Sequence, residues 1–439
     1  MSDAHEWLER LEAKARAKDV DVCVVGLGYV GLPLAVQFAR SGARVVGVDL
    51  DPSKVERINA GTSYIDDVPS DELAAQVSAG RLRATTDFDA AGAADSISVA
   101  VPTPLSKYRE PDLASVLSVG DELKRRLRAG QLVVLESTTY PGTTEELLLP
   151  MLQESGLTVG EEFFLAFSPE RVDPGRRDFM IHNTPRVVGG VTEACTKAAL
   201  AVYRVAIETM VPVSSARAAE MAKILENTFR SVNIALVNEV ALMCDRLGVP
   251  VFEVIRAAAT KPFGFMPFYP GPGLGGHCLP VDPLYLSWKM RTLDYKARFI
   301  ELAEEVNRSM PHHVVERVSK ALNRHRKAVN GARVLLIGVA YKPNIDDVRE
   351  SPAADVIAGL RALGADVRYH DPFVPEYRFQ EDVLRSSSLD EGHDGCDCAV
   401  IVTDHSGIDY RRLVESAPVV VDARNATEGL RHLGDVVSI

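Results

Sequence analysis

The run Asp21-Val22-Cys23-Val24-Val25-Gly26-Leu27-Gly28-Tyr29-Val30-Gly31 constrains this chain more than any other stretch. A short apolar strand leads directly into glycines spaced G-x-G-x-x-G, and a helical pattern follows through Arg40. In that setting Gly26 allows a tight turn, Gly28 lets a pyrophosphate reach the backbone, and Gly31 allows close helix–strand contact, with the helix N-terminus facing the phosphates. A second strand, Arg44-Val45-Val46-Gly47-Val48, ends at Asp49, about twenty residues on, where a carboxylate binds an adenosine ribose. That charge accepts a 2′-hydroxyl and repels a 2′-phosphate, so the expected cofactor is NAD. Asp51 competes for the role, but it stands beyond the strand end and reads as a turn residue.

The 439 residues suffice for two to four domains. Strand-like and helix-like segments alternate to about residue 212, with strands expected at 96–101, 131–135 and 163–167, which predicts a parallel sheet with helices on both faces. The pattern then changes to one long helix over 216–247, carrying Met221, Leu225, Phe229, Val232, Leu236 and Val240 on recurring faces and stopped by Gly248-Val249-Pro250. Its apolar face suits a dimer core or burial within one chain. Further helices are expected at 252–259 and 297–323. A new α/β unit begins at 333–339 and continues through a helix near 353–363 to strands at 366–369, 398–403 and 419–422. The expected fold is α/β: two doubly wound Rossmann-like domains, 1–213 and 328–439, joined by a helical middle domain, 214–327. The second is not a copy of the first, because its first turn is Ala340-Tyr341-Lys342-Pro343 and lacks the glycine fingerprint. Lys342, Arg349 and Arg424, near its strand ends, suit either phosphate binding or a solvated surface.

Between these blocks, Pro270-Gly271-Pro272-Gly273-Leu274-Gly275-Gly276-His277-Cys278-Leu279-Pro280-Val281-Asp282 presents one thiol on a glycine-rich loop with a carboxylate four residues later. Glycines remove bulk and prolines restrict the backbone, so the loop is shaped to let a substrate approach the sulfur. The plainer alternative is an inert buried cysteine in a tight turn. A net charge of -12 and a pI near 5.4, with no long basic stripe, make nucleic acid and anionic membrane poor partners. Residues 1–20 mix charges with spaced Leu and Ala, unlike a signal-peptide core, and no charge-free stretch is long enough to span a bilayer. Six scattered cysteines, Cys396-Asp397-Cys398 among them, suggest neither a disulfide framework nor structural zinc, and a reducing cytoplasm is expected.

With these pieces in order, the chain resembles the nucleotide-sugar 6-dehydrogenase family, which includes UDP-glucose, UDP-N-acetylglucosamine, UDP-N-acetylmannosamine and GDP-mannose dehydrogenases. Nearly the whole chain carries the likeness, through Gly26 to Gly31, Val101-Pro102-Thr103-Pro104, Ser137-Thr138, Ser168-Pro169-Glu170, Lys223 with Asn227, Gly275-Gly276-His277-Cys278, Tyr341-Lys342-Pro343 and Arg349-Glu350-Ser351. The resemblance implies an NAD-binding N-terminal domain, a helical dimerising middle, a C-terminal nucleotide-sugar domain, and oxidation of a sugar C6 alcohol to a carboxylate with two NAD. A homodimer or higher homo-oligomer follows from it.

In such a reaction one hydride transfer makes an aldehyde, the Cys278 thiolate adds to give a thiohemiacetal, a second transfer gives a thioester, and water releases the acid. The resemblance assigns stabilisation of the C6 oxyanion to Lys223 and Asn227, four apart on one helix face. It gives Asp282 proton transfer or water activation, Thr138 the ordering of that water, and Glu170 acid/base or water-positioning work. NAD contacts are implied for Gly26, Gly28, Tyr29, Val30, Gly31 and Asp49, and for Lys54, Val101, Thr103, Thr138 and Arg349. Substrate contacts are implied for Glu170, Arg171, Lys223, Asn227 and Phe265, and for Tyr269, Gly275, Lys342 and Arg424.

Two departures from the UDP-glucose branch bear on substrate. Pro174 stands where that branch has a second acid, and Val281 replaces a lysine found in some relatives. Lys261-Pro262-Phe263-Gly264-Phe265, Tyr269-Pro270-Gly271-Pro272 and His277-Cys278-Leu279-Pro280 look more like the UDP-N-acetylhexosamine branch. UDP-N-acetylglucosamine is therefore the favoured substrate, with UDP-glucose or dTDP-glucose as alternatives, since acetyl recognition rests on pocket shape and a few hydrogen bonds. Two readings from other classes are a two-electron hydroxyacid dehydrogenase, which would need neither the cysteine loop nor a third domain, and a non-catalytic NAD-binding protein.

Overall fold

The structure, a computed structural model, describes residues 3–173, 176 and 178–439; Pro174 lies outside them. The chain forms two compact units, one of residues 1–226 with 288–293 and one of residues 227–287 with 294–439.

The first unit is built on an eight-stranded sheet in the order β3-β2-β1-β4-β5-β6-β7-β8. Its strands are β1 (Asp21–Val25), β2 (Arg44–Val48), β3 (Leu82–Thr85), β4 (Ser96–Val99), β5 (Leu132–Leu135), β6 (Phe164–Phe167), β7 (Arg186–Gly190) and β8 (Met210–Pro212). Central strands such as Leu-Val-Val-Leu in β5 are buried along their whole length, so they read as continuous apolar runs rather than alternating ones. Successive side chains still go to opposite faces. Val22 and Val24 pack with Leu34 and Phe38, whereas Cys23 and Val25 pack with Ile97 and Val133. Each buried Val or Leu contributes roughly 1.5–3 kcal/mol before entropy is charged against it.

The expected all-parallel sheet needs one correction. β6 and β7 pair antiparallel, with Ala166 opposite Gly190 and Phe167 opposite Gly189. A parallel return needs a crossover, usually a helix, and among the described residues of 168–185 there is none. The charged opening segment holds an amphipathic helix, Asp3–Arg16, whose Leu8 and Leu11 enter the core.

The second unit carries a five-stranded parallel sheet, β10-β9-β13-β14-β15, made of β9 (Arg333–Ile337), β10 (Asp366–His370), β13 (Cys398–Ile401), β14 (Val420–Asp422) and β15 (Val436–Ser438). Val334 and Leu336 face one core, and Leu335 and Ile337 the other, as in a doubly wound sheet. A hairpin of β11 (Glu376–Phe379) and β12 (Asp382–Arg385) was not expected from the sequence. Helices also form at Val251–Ala259, Asp282–Arg291 and Arg298–Arg324, the last with Pro311 inside. The helix Ala216–Leu247 spans its predicted range, and Met221, Leu225, Phe229, Leu236, Met243 and Leu247 are exposed along it. Among the described residues no helix is long and apolar enough to cross a membrane.

Candidate active site

At the carboxyl end of β1 the three glycines differ in what surrounds them. Gly26 has φ +88°, and a Cβ there would lie 2.5 Å from the Ala100 carbonyl oxygen. A Cβ on Gly31 would strike the Gly26 carbonyl oxygen at 1.8 Å, so the helix Gly31–Arg40 sits directly on the turn. Gly28 has nothing within 4 Å of that position. Two glycines are thus fixed by packing, and the third leaves an open cradle of the kind a pyrophosphate occupies at a helix N-terminus. Asp49 directly follows β2, its carboxylate accepting from Leu27 N at 2.8 Å and Asp51 N at 3.0 Å, and Lys54 Nζ lies 3.3 Å away. Asp51 instead caps the next helix by accepting from Ser53 N. Tyr29 is exposed beside the open glycine.

The ends of β4 and β5 are stitched together next to this cradle. Ser137 Oγ donates to the Val101 carbonyl at 2.7 Å, and Thr103 Oγ1 donates to the Thr138 carbonyl at 2.8 Å. Ligands of doubly wound sheets bind at such strand ends. These residues fit NAD, which supplies a hydride acceptor when bound.

Below Ser168-Pro169-Glu170 lies a buried ionic cluster that sequence reasoning missed. The Arg186 guanidinium meets the Glu136 carboxylate and stands 3.2 Å from Glu170 Oε2, while its Nε donates to Ser168 Oγ at 3.0 Å. Tyr203 donates its hydroxyl to Glu136 and is 2.8 Å from Ser98 Oγ. Burial pushes the Glu136 carboxyl up, against the pull of the Arg186 cation and the Tyr203 hydroxyl. Glu170 Oε1 accepts from the backbone N–H groups of Arg171 and Val172 at 2.6 and 2.8 Å. Its carbonyl oxygen accepts from Lys223 Nζ at 2.7 Å, and Lys223, 9% exposed, is no surface lysine. Arg171 is engaged within the same unit, by Glu226 and the Pro185 carbonyl. One turn before Lys223, buried Glu220 accepts from Gly142 N and from Thr144 N and Oγ1, and burial pushes its carboxyl up to about 7 despite those bonds.

In the second unit Cys278 is exposed, and its carbonyl accepts from Asp282 N at 2.9 Å, which places the thiol residue one helical turn before a carboxylate that is 3% exposed. Asn227 Nδ2, also buried, donates to Asp282 Oδ2 at 2.5 Å. The loop's glycines serve packing more than access to sulfur. A Cβ on Gly275 would lie 2.5 Å from Tyr341 Cβ and 3.0 Å from the Glu350 carbonyl oxygen. On Gly276, with φ +80°, it would meet the Tyr341 ring at 2.8 Å. Gly276 N donates to the Arg349 carbonyl at 3.0 Å, so Arg349 contributes backbone here while its side chain pairs with Asp347. Burial, aided by the Arg349 charge, holds the His277 imidazolium below its usual range.

The turn carrying Tyr341 and Lys342 is pinned by a pair that the sequence did not reveal. Asp371 Oδ2 accepts from Val339 N, Ala340 N and His405 Nε2, and Asn344 N donates to His405 Nδ1 at 3.0 Å. Burial works against the Asp371 charge, yet His405 and the backbone donors hold its carboxyl below the usual range. Arg424 is half-buried, with Nε donating to the Val402 carbonyl at 2.8 Å and a nitrogen 2.7 Å from where a Gly271 Cβ would be. Burial lowers its pKa, opposed by Asp404 and Asp422, so it is not a solvated surface charge. Phe265 and Tyr269 are exposed, Tyr269 stacked on Phe252 with centroids 6.3 Å apart.

The chain matches three family models of the UDP-glucose/GDP-mannose dehydrogenase family: the NAD binding domain over residues 20–207, the central domain over 217–309, and the UDP binding domain over 335–429. It is 38% identical over 359 residues to UDP-N-acetyl-D-glucosamine 6-dehydrogenase of Pseudomonas aeruginosa, covering 81% of this chain and 84% of that one. The solved UDP-D-ManNAc dehydrogenase of Pyrococcus horikoshii superposes with a TM-score of 0.87 at 33% identity, over 95% of this chain and 99% of that chain. A UDP-glucose dehydrogenase from Pyrobaculum islandicum superposes with a TM-score of 0.84 at 32% identity, over 96% and 97%.

Proposed function

The chain belongs to the UDP-glucose/GDP-mannose dehydrogenase family and is an NAD-dependent nucleotide-sugar dehydrogenase, and on that premise we propose that it oxidises the C6 alcohol of UDP-N-acetylglucosamine to the uronic acid with Cys278 as covalent nucleophile. The observation that carries this reading is the exposed Cys278 thiol one helical turn before Asp282, whose buried carboxylate accepts from Asn227. After the first oxidation the Cys278 sulfur adds to the C6 aldehyde, forming a C–S bond, and the oxygen takes up a proton to give a thiohemiacetal. Loss of the C6 hydrogen as hydride, with the hydroxyl proton, leaves a thioester. Water then adds to the carbonyl, the C–S bond breaks, and the thiolate and carboxylate separate. In this scheme Lys223 and Asn227 stabilise the C6 oxyanion. Asp282 moves the proton, and Thr138 orders the hydrolytic water. Glu170, whose carboxylate accepts from two backbone N–H groups and Arg186 and is held in place by them, serves as an acid/base or water-positioning group.

Asp49 is assigned to the adenosine ribose, with Gly26, Gly28, Tyr29, Val30 and Gly31 around the pyrophosphate and Lys54, Val101, Thr103 and Arg349 completing the cofactor contacts. Arg171, Phe265, Tyr269, Gly275, Lys342 and Arg424 are assigned to the nucleotide sugar. The three-part division at 1–213, 214–327 and 328–439 goes with that assignment. The choice of an N-acetylated sugar is supported by the likeness to the UDP-N-acetyl-D-glucosamine 6-dehydrogenase of Pseudomonas aeruginosa and by the 261–265 and 277–280 sequences, with UDP-glucose or dTDP-glucose as the competing substrates. We further propose a homodimer working in the cytoplasm. The exposed stripe of Leu225, Phe229, Leu236 and Met243 supports the dimer, since a contiguous apolar helix face on one chain marks an association surface.

A panel of UDP-N-acetylglucosamine, UDP-N-acetylmannosamine, UDP-glucose and dTDP-glucose, assayed for kcat/KM by NADH formation, tests the substrate. The highest value is expected for UDP-N-acetylglucosamine, and a higher value for a glucose nucleotide overturns that choice while leaving the reaction standing. Cys278→Ser is expected to abolish acid formation with NAD affinity nearly intact; near-normal acid production removes Cys278 from the nucleophile role.

A further inference from the structure

The Pro270–Pro280 loop is tied near one end by the bond from Gly276 N to the Arg349 carbonyl and near the other by a chain of buried amides. Gly271 N donates to Asn238 Oδ1 at 2.9 Å, Asn238 Nδ2 donates to Asn307 Oδ1 at 2.9 Å, and Asn307 Nδ2 donates to the Ser231 carbonyl at 3.2 Å. The orientation of both amides follows from the first bond: a backbone N–H needs an oxygen, which leaves the Asn238 nitrogen to donate onward. Asn238 and Asn307 are 0% and 4% exposed. Burying polar groups is unfavourable without such pairing, and two apolar side chains would fill the same space, so the amides are kept for what they hold.

Asn307 stands four residues before Pro311 in the helix Arg298–Arg324. Proline has no N–H, so the Asn307 carbonyl loses its usual i+4 donor, and the helix flank there is open to the side. Gly273 lies on that flank, with φ +131° and with the position of a Cβ 3.2 Å from Pro352 Cβ and 3.4 Å from both the Asn307 carbonyl oxygen and Pro311 Cδ, so the loop rests in contact distance of the helix there. An alanine at 311 would give the Asn307 carbonyl an N–H donor within the helix ladder and so change what Gly273 rests on.

We propose that Asn238, Asn307 and Pro311 form a seat that sets the position of the loop carrying Cys278, and are therefore positioning residues for the covalent step. The proposal rests on the reading of Cys278 as nucleophile. The seat acts through Gly271 and Gly273, and none of its three residues is among those assigned to substrate, cofactor or sulfur.

Full-length Asn307→Leu, Asn307→Asp and Pro311→Ala are compared for kcat, KM, thermal stability, and the rate at which iodoacetamide alkylates Cys278, read by mass spectrometry of the Cys278 peptide. Asn307→Leu is expected to lower kcat by up to ~100-fold, the scale of a displacement of about 1 Å at a reacting group, with KM for NAD nearly unchanged. The alkylation rate should shift with it, and Asn307→Asp, which keeps the oxygen that Asn238 needs but sets a second oxygen against the Ser231 carbonyl, should recover only part of the lost turnover. Pro311→Ala restores a good helix former, so it folds even where Asn307→Leu does not. It is expected to lower kcat and change the alkylation rate without lowering Tm. Wild-type kcat and alkylation in Pro311→Ala overturn the seat. Cys278→Ala, run alongside, separates the two readings: acid formation by that variant overturns the nucleophile itself, whereas an inert Cys278→Ala beside a wild-type-like Pro311→Ala overturns only the seat.

Discussion

Arg186→Leu is the substitution whose consequences follow most directly from the structure. Arg186 and Glu136 are buried, and the guanidinium also meets Glu170, Ser168 and, at 5.3 Å, the face of Tyr203. Leucine fills part of the volume but, among the described residues, leaves Glu136 with Tyr203 as its donor. Removing one partner of a buried pair costs about 3–5 kcal/mol, because the other charge stays desolvated. For a unit of this size each kcal/mol moves Tm by about 2–4 °C, so the fall should be roughly 6–20 °C. The penalty also has a defined pH dependence. Burial already raises the Glu136 carboxyl above its ordinary value, and loss of the Arg186 cation raises it further. A carboxyl whose folded pKa lies above its unfolded one contributes stability that is fully present below about pH 4.5 and is lost as pH rises. The gap between variant and wild type should therefore widen from pH 5 to pH 8, as calorimetric unfolding of the full chain can measure. Adding Glu136→Gln to Arg186→Leu should close most of the gap at pH 8. A fall in Tm of less than about 2 °C, or one equal at both pH values, would refute the picture of a buried charge held by Arg186.

Gly276→Ala places a side chain at φ +80° and against the Tyr341 ring, which together cost about 2–5 kcal/mol locally, so kcat should fall at least ~10-fold, and adding Tyr341→Ala should restore only the steric part. Wild-type turnover in the single variant would contradict the packing account of the loop. Asp49→Ala should narrow the preference for NAD over NADP in steady-state constants; wild-type enzyme that uses both equally would take Asp49 away from the ribose. Glu220 has a folded pKa of about 7 against an ordinary 4.5, so its contribution is present below pH 4.5 and is lost as pH rises through 7, a change of roughly 3 kcal/mol. Glu220→Gln removes that titration, and denaturant unfolding should find its stability changing less between pH 5 and pH 8 than that of the wild type; parallel profiles would contradict this.

The sequence made the elements with strong periodicity legible. β1, β2 and the helix Ala216–Leu247 lie where Val-rich runs and the 3.6-residue apolar repeat place them. The hairpin β11–β12 escaped because Glu-Tyr-Arg-Phe is short and half polar, a pattern shared by many loops. The antiparallel β6–β7 pairing escaped because strand direction depends on what connects two strands, and that connection has no helical signature. At the candidate site, glycine spacing and the Cys278-to-Asp282 interval are local and could be read directly. Arg186 lies fifty residues from Glu136, and Asn307 sixty-nine from Asn238, so neither pair has a sequence signal. Lys223 is singled out by the family resemblance and not by its own pattern, which is that of any helical lysine; its burial and its bond to the Glu170 carbonyl are what distinguish it physically.

The central claim is that one thiol carries the substrate between two oxidations. It is tested most directly by counting NADH against sugar acid in a single-substrate reaction while trapping the enzyme by acid quench and weighing the Cys278 peptide. Two NADH per acid, no released aldehyde, and a Cys278 peptide heavier by the bound sugar are the expected result. One NADH per product, or free aldehyde with an unmodified Cys278, would contradict the claim.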